Sequence, residues 1–257
     1  MLKIDVLIDL FFKGESWGKR AEQIAACGYE YIETWQGADT AALKEMNSAG
    51  VKLISIVLNS FHHQETIPIK PANQAAFVAH IDKMADSALA AGCTQGIVTA
   101  GQQVGGMSYH AQRAALVDAL AAAAAKVSDR GFNLNLEPLN TEVDHAGYHL
   151  SSATDSVAIV KETGCKNIKV LYDIYHMTIM SGNQTEFLRH NLNWIGHFHI
   201  AAVPGRHEPA QGETNYPFLL QEIAKGGYQN FLGLEYIPLL PSRESLLQTA
   251  RYLQPGA

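Results

Sequence analysis

One recurring placement of glycine constrains this chain more than any other feature. Gly28, Gly50, Gly92, Gly131, Gly164 and the pair Gly226-Gly227 each follow an alanine-rich or charged stretch and precede an apolar run. A glycine just past a helix end takes the left-handed conformation without a side-chain clash. The repeating unit is therefore helix, glycine, strand and loop. Strands that alternate with helices imply a parallel sheet with right-handed crossovers.

Eight such units are predicted. They are strand Lys3–Leu10 and a helix from Ser16; strand Tyr31–Thr34 and helix Thr40–Ala49; strand Val51–Asn59 and helix Asn73–Ala91; strand Gly96–Thr99 and helix Tyr109–Arg130. The second half gives strand Asn133–Glu137 and helix Thr154–Thr163; strand Lys169–Asp173 and helix Gln184–Leu192; strand Ile195–Ile200 and helix Pro217–Ala224; strand Phe231–Glu235 and helix Arg243–Tyr252. Eight units of roughly 32 residues suit an α/β (β/α)8 TIM barrel. No linker-like or low-complexity segment interrupts residues 1–257, so a single TIM-barrel domain is expected. A doubly wound open sheet is the rival fold. No G-x-G-x-x-G follows the first strand, which weakens a dinucleotide-binding version of it.

Composition narrows the function classes. The hydrophobic fraction of 47% supplies a large core, and the formal net charge is -6. A protein held on nucleic acid by phosphate contacts needs a basic face, so no nucleic-acid partner is expected. The three cysteines, Cys27, Cys93 and Cys165, lie far apart with no C-x-x-C spacing. That argues against a disulfide framework or a zinc ribbon and points to a reducing, cytoplasmic setting. Asp5 and Asp9 break the first apolar run, so a signal peptide is not expected. No run of about 18 apolar residues suggests a membrane span, and Ala121–Ala125 reads as buried helix. Asn183-Gln184-Thr185 matches a glycosylation sequon, which has no meaning in a cytosolic chain.

In a barrel of this kind the active site lies at the carboxyl ends of the strands. Strands five to eight end at Glu137, Asp173, His199 and Glu235. A single acidic residue at a strand end is usually a helix cap or a loop acceptor. Four ligand-type residues on four successive strands point instead to one site. Three carboxylates around one point would repel, and at least one would be driven toward protonation. A divalent cation removes that conflict. An oxygen-rich set with one imidazole suits Mn²⁺ or Mg²⁺, and Co²⁺ also fits. Zinc usually prefers fewer carboxylates.

Such a cation polarises a carbonyl and holds the adjacent hydroxyl. Glu137 and Glu235, on strands far apart around the barrel, are the candidate pair for removing and returning a proton through an enediolate. The order in which they act is left open by the sequence. Arg206 is a candidate clamp for a substrate carboxylate or hydroxyls. His176, three residues past Asp173, reads as a loop histidine for a substrate hydroxyl. His62 is the candidate of the His62-His63 pair, only one of which can face the site. His207, Glu208 and Glu213 brace their loop, and Trp35 and Phe61 read as wall.

These segments carry a resemblance. Glu137-Pro138-Leu139-Asn140, Asp173-Ile174-Tyr175-His176, His199 with Pro204-Gly205-Arg206-His207-Glu208-Pro209, Gly212-Glu213-Thr214-Asn215-Tyr216-Pro217 and Leu234-Glu235-Tyr236 resemble the hydroxypyruvate isomerases. Those enzymes belong with ketose 3-epimerases, inosose dehydratases and barrel-type apurinic endonucleases among the xylose isomerase-like TIM barrels. The resemblance is densest from Glu137 to Tyr236. It implies a metal held by Glu137, Asp173, His199 and Glu235, with the two glutamates as acid and base. It also implies interconversion of hydroxypyruvate and tartronate semialdehyde, or of a related 2-oxo sugar acid. The third ligand is Gln in some members and His here, which leans toward the ketose 3-epimerases. A homo-oligomer is expected on the resemblance alone.

Other classes remain to be weighed. A nuclease of this barrel needs a multi-metal cluster with more histidines. Thr99-Ala100-Gly101-Gln102 offers none, and the loop after His199 lacks Asp-x-His. A dehydratase would use the same cation and base, and only its product separates it. A catalytically silent binding module would not need the Glu137 and Glu235 pair.

Overall fold

The apolar runs that follow the glycines are the staves of a closed barrel. The computed structural model describes residues 2–253. Eight parallel strands pair in chain order, and the eighth closes on the first. They are β1 (Lys3–Leu7), β2 (Tyr31–Thr34), β3 (Lys52–Val57), β4 (Gln95–Thr99), β5 (Asn133–Glu137), β6 (Ile168–Asp173), β7 (Ile195–Ile200) and β8 (Phe231–Leu234). Helices α1 (Trp17–Ala25), α2 (Thr40–Asn47), α3 (Gln74–Ala90), α4 (Tyr109–Val127), α5 (Ala153–Glu162), α6 (Ile174–Met180), α7 (Gln184–Asn191), α8 (Tyr216–Lys225) and α9 (Ser242–Leu253) accompany them.

Local chemistry sets the helix starts. Ser16, Asp39, Ser108, Ser152 and Asn215 each accept a backbone N–H of the first turn, satisfying donors the helix itself leaves unpaired. At the other ends, Gly28 (φ +90°) and Gly131 (φ +68°) take the left-handed turn that sends the chain back into the barrel. The alanine run lies in α4, where Ala119, Ala123 and Ala124 are fully buried. Small side chains there bring α4 close to the strands. All three cysteines are free thiols. No helix among the described residues is long and apolar enough to cross a membrane.

Two expectations need correction. The first strand stops at Leu7, and Ile8–Leu10 forms a tight helical turn. Asp9 then accepts Thr34 Oγ1 (2.7 Å), Trp35 N (3.0 Å) and Gln36 Nε2 (2.8 Å), so polar pairing ends the strand early. The segment after Asp173 is helix α6 and not loop. Asp173 Oδ1 accepts the backbone N–H of Tyr175 (2.8 Å) and His176 (3.3 Å), capping α6. Other ends differ by one to three residues from those expected, the usual scatter of frayed termini.

Candidate active site

Strand register brings the acidic ends together. Asp173 pairs with His199, His199 with Gly233, and Thr99 with Glu137. Glu137, Asp173, His199 and Glu235 each offer one ligand atom, and these atoms lie within 4.8 Å of one another. All four residues are buried. His199 Nδ1 stands 2.9 Å from Glu235 Oε2 and 3.5 Å from Glu137 Oε1.

The donor set fits a divalent cation. Three buried carboxylates converge, and neither ring nitrogen of His199 makes an aligned hydrogen bond. Burial pushes the Asp173 acid up to about 7, with Arg206 opposing the shift and Glu235 adding to it. Burial also raises Glu137, partly offset by His199. Glu235 goes the other way. Burial opposes its charge, but Arg206 and His199 outweigh that and hold it below the usual carboxylate range. Burial alone would lower His199, yet Glu33 and Glu235 raise it well above its ordinary value. An electron-rich centre with acids held protonated is what a cation would neutralise.

The residues around this set fix its shape. Arg206 Nη2 donates to Glu235 Oε2 (2.5 Å) and lies 3.4 Å from Asp173 Oδ2. Its guanidinium lies 5.1 Å from the Tyr175 ring centre. Arg206 occupies a tight turn at φ +56°, and its N–H donates to Ala202 O (2.9 Å). Trp35 Nε1 donates to Glu235 Oε1 (3.2 Å) while its ring lines the mouth, 46% exposed. Glu208 is wholly buried and accepts Leu239 N (3.0 Å), Leu240 N (3.1 Å) and Ser245 Oγ (2.9 Å). It ties the Arg206 loop to the segment after β8, which is the bracing expected of it.

His176 and His62 fall in different places. His176 is fully buried on α6, with Asn140 N donating to its Nδ1 (3.2 Å) and its Nε2 facing Asp173 Oδ2 at 3.3 Å. It backs Asp173 and does not face open space. His62 is exposed on the rim, its ring 4.1 Å from that of Phe61, and is not drawn into the acidic cluster. Phe61 contacts His145 (5.3 Å), which in turn contacts His176 (5.3 Å), so an aromatic wall runs from the rim to the buried layer.

Sequence reasoning gave no role to Asp5, Glu33, His145 and His197. Glu33 is next to last in β2, so its position was a visible signal. His197-Phe198-His199 also carried one, because a two-residue period puts both imidazoles on one face. Asp5 was legible as a carboxylate inside an apolar strand. His145 lies in an irregular loop and left no pattern.

Comparison with known proteins bears on the family and the fold. The xylose isomerase-like TIM barrel family matches residues 21–255. A 2-oxo-tetronate isomerase of Cupriavidus necator is 42% identical over 126 residues, covering 49% of this chain and 48% of that protein. The hydroxypyruvate isomerase of Escherichia coli is 34% identical over 155 residues, covering 60% of this chain and 58% of that protein. The chain thus aligns with about half of the first relative and under two thirds of the second. The crystal structure of a family 2 AP endonuclease from Brucella melitensis superposes with a TM-score of 0.90 at 25% identity, covering 98% of this chain and 99% of that one.

Proposed function

The chain belongs to the xylose isomerase-like TIM barrel family, and on that premise we propose that it is a metal-dependent isomerase of a small 2-oxo sugar acid. Hydroxypyruvate and tartronate semialdehyde, or a 2-oxo-tetronate, are the substrates in view. The observation that carries this reading is the meeting of Glu137, Asp173, His199 and Glu235 within 4.8 Å. Mn²⁺ and Mg²⁺ suit such a donor set, and Co²⁺ fits as well.

Bound there, a divalent cation would supply polarisation of the substrate carbonyl and of its neighbouring hydroxyl. The chain's own groups do the proton work. A glutamate takes the C–H proton beside the carbonyl, leaving an enediolate. A proton returns to the adjacent carbon, and the hydroxyl proton passes from one oxygen to the other, so nothing is gained or lost. Glu137 is the better-matched acceptor, since burial raises it above its ordinary value. Glu235, held ionised by Arg206 and His199, faces the same imidazole nitrogen as Glu137, His199 Nδ1. Arg206 is mostly enclosed beside both Asp173 and Glu235, and its remaining donors are suited to a substrate carboxylate. Trp35 and Phe61 shield the mouth from water.

Ketose 3-epimerisation is the second reading. The same pair of glutamates would serve it, and His199 in place of Gln favours it. The likeness to an AP endonuclease weighs less. The only other candidate ligand group among the described residues, Glu33 with His197 and His199, shares His199 and lies wholly buried within the barrel. A panel of small ketoses, aldoses and 2-oxo acids, assayed in D₂O with Mn²⁺ and with chelator, separates these readings. The isomerase reading expects chelator-sensitive deuterium uptake beside the carbonyl of a 2-oxo acid and formation of the aldehyde. Turnover of ketohexoses alone would install the epimerase instead.

A further inference from the structure

Inside the barrel, one layer from the acidic cluster, lies a set of polar side chains that the proposed reaction leaves unused. Asp5 of β1, Glu33 of β2 and His197 of β7 are wholly shielded from solvent. Glu33 Oε1 is 3.0 Å from His199 Nε2, and Glu33 Oε2 is 3.1 Å from His197 Nε2. Asp5 Oδ1 is 4.0 Å from His197 Nε2.

The barrel wall is cut away to admit this carboxylate. Gly233 pairs with both Asp5 and His199 in the strand register. A Cβ there would come within 2.2 Å of Glu33 Oε1, 2.9 Å of His199 Cδ2 and 3.1 Å of Asp5 Oδ2. Any side chain at 233 would displace Glu33, the His199 ring, or both.

A carboxylate buried this deeply persists only when donors face it. Each oxygen of Glu33 faces an imidazole nitrogen. Burial and then the Glu33 charge push the Asp5 acid well up.

His199 lies between two environments. Its Nδ1 faces Glu235 and Glu137, and its Nε2 faces Glu33. Neither ring nitrogen makes an aligned hydrogen bond. A carboxylate opposite one ring nitrogen keeps the hydrogen there and frees the lone pair of the other.

We propose that Glu33 is a positioning residue: it holds the hydrogen on His199 Nε2, so that Nδ1 presents its lone pair to a divalent cation shared with Glu137, Asp173 and Glu235. The inference rests on the reading of those four residues as the cation's ligands. Glu33 acts only through His199 and touches neither cation nor substrate.

Titration calorimetry with Mn²⁺ tests it. Wild type is expected to take up one equivalent. Glu33→Leu, which has no acceptor, should bind Mn²⁺ about 10- to 100-fold more weakly at unchanged stoichiometry, the usual scale for such a supporting partner. Glu33→Gln keeps one acceptor oxygen and should fall between the two. Circular dichroism checks that each variant is folded. A second measurement needs no variant. In the Zn²⁺-loaded wild type, ¹⁵N-histidine NMR should show His199 with its hydrogen on Nε2.

Equal Mn²⁺ affinity in wild type and a folded Glu33→Leu would overturn the positioning role alone. So would a His199 hydrogen found on Nδ1. A second Mn²⁺ equivalent lost in Glu33→Leu would make Glu33 a ligand and overturn the role too. No Mn²⁺ uptake by wild type would overturn both this inference and the reading beneath it.

Discussion

Cation uptake should depend steeply on pH, with a size that follows from two protons. In the metal-free protein the Asp173 acid sits at about 7, and His199 is held protonated by Glu33 and Glu235. Both protons must leave before Asp173 and His199 Nδ1 can bind a cation. The sign follows directly. The raised acid and the raised imidazole both hold protons more tightly in the folded protein, so falling pH favours the proton over the metal. At pH 5 about one Asp173 in 100 is ionised, against about half at pH 7, which weakens apparent affinity about 50-fold, or about 2.3 kcal/mol. His199, protonated across this range, contributes up to about another 100-fold, so the combined loss between pH 7 and 5 approaches about 5 × 10³-fold. Above pH 7 the Asp173 proton no longer competes and the dependence should flatten. Calorimetry with Mn²⁺ in buffers of different ionisation enthalpy counts the protons directly. About two should be released below pH 6 and fewer above pH 7, where Asp173 is already ionised. Asp173→Asn should remove one of them. Affinity that stays level from pH 5 to 7, with no proton released, would refute the reasoning.

Three further outcomes follow from the same geometry. Glu137→Gln and Glu235→Gln should each leave a folded protein with turnover down at least about 100-fold; near-normal turnover in either would remove it from the proton-transfer pair. Arg206→Ala should mainly raise KM for an acidic substrate, and an unchanged KM would end its assignment as a carboxylate clamp. Glu208→Ala strands the backbone N–H groups of Leu239 and Leu240 and takes one of two partners from the Ser245 hydroxyl. That should cost about 3 kcal/mol of stability in thermal or urea unfolding, and a loss below about 0.5 kcal/mol would show that water replaces the carboxylate without penalty.

Most of the barrel was legible because its signals are local. Glycine past a helix end, a capping Ser or Asp before the next one, and an apolar run between them are all read within a few residues. The four-residue cluster was legible for a related reason: parallel strands in register carry their last residues to the same level, so chain position predicts height in the barrel. Helix α6 escaped because Asp173 does two things. Its Oδ1 caps the helix while its Oδ2 faces His176 and Arg206, and a residue read as a ligand masked the cap. The inner layer escaped for a different reason. Whether Asp5, Glu33 and His197 meet depends on strand tilt and on the register shift between Ile32 and Glu33, which no local pattern records. Gly233 looked like an ordinary strand residue, and only the packed barrel shows that its missing side chain makes room for Glu33.

The same two protons bear on whether the fold depends on the cation. Without it, the buried cluster keeps its hydrogen on Asp173 and its extra hydrogen on His199, and Arg206 pairs with Glu235. With it, both protons leave and one doubly charged ion enters. Exchanging two protons for one divalent cation leaves the charge of the buried cluster unchanged, so the metal-free protein carries no uncompensated buried charge. The core is also independent of the site, since the strands and the α4 alanines pack on their own apolar faces. Chelation should therefore abolish turnover while the far-ultraviolet circular dichroism stays as it was. The unfolding free energy should fall only by the linkage term, about 2.7 kcal/mol for a cation present at 100 times its Kd. Loss of helix signal on chelation alone at pH 7 would show that the protons do not substitute for the cation, and that the charge balance argued from Asp173 and His199 is wrong.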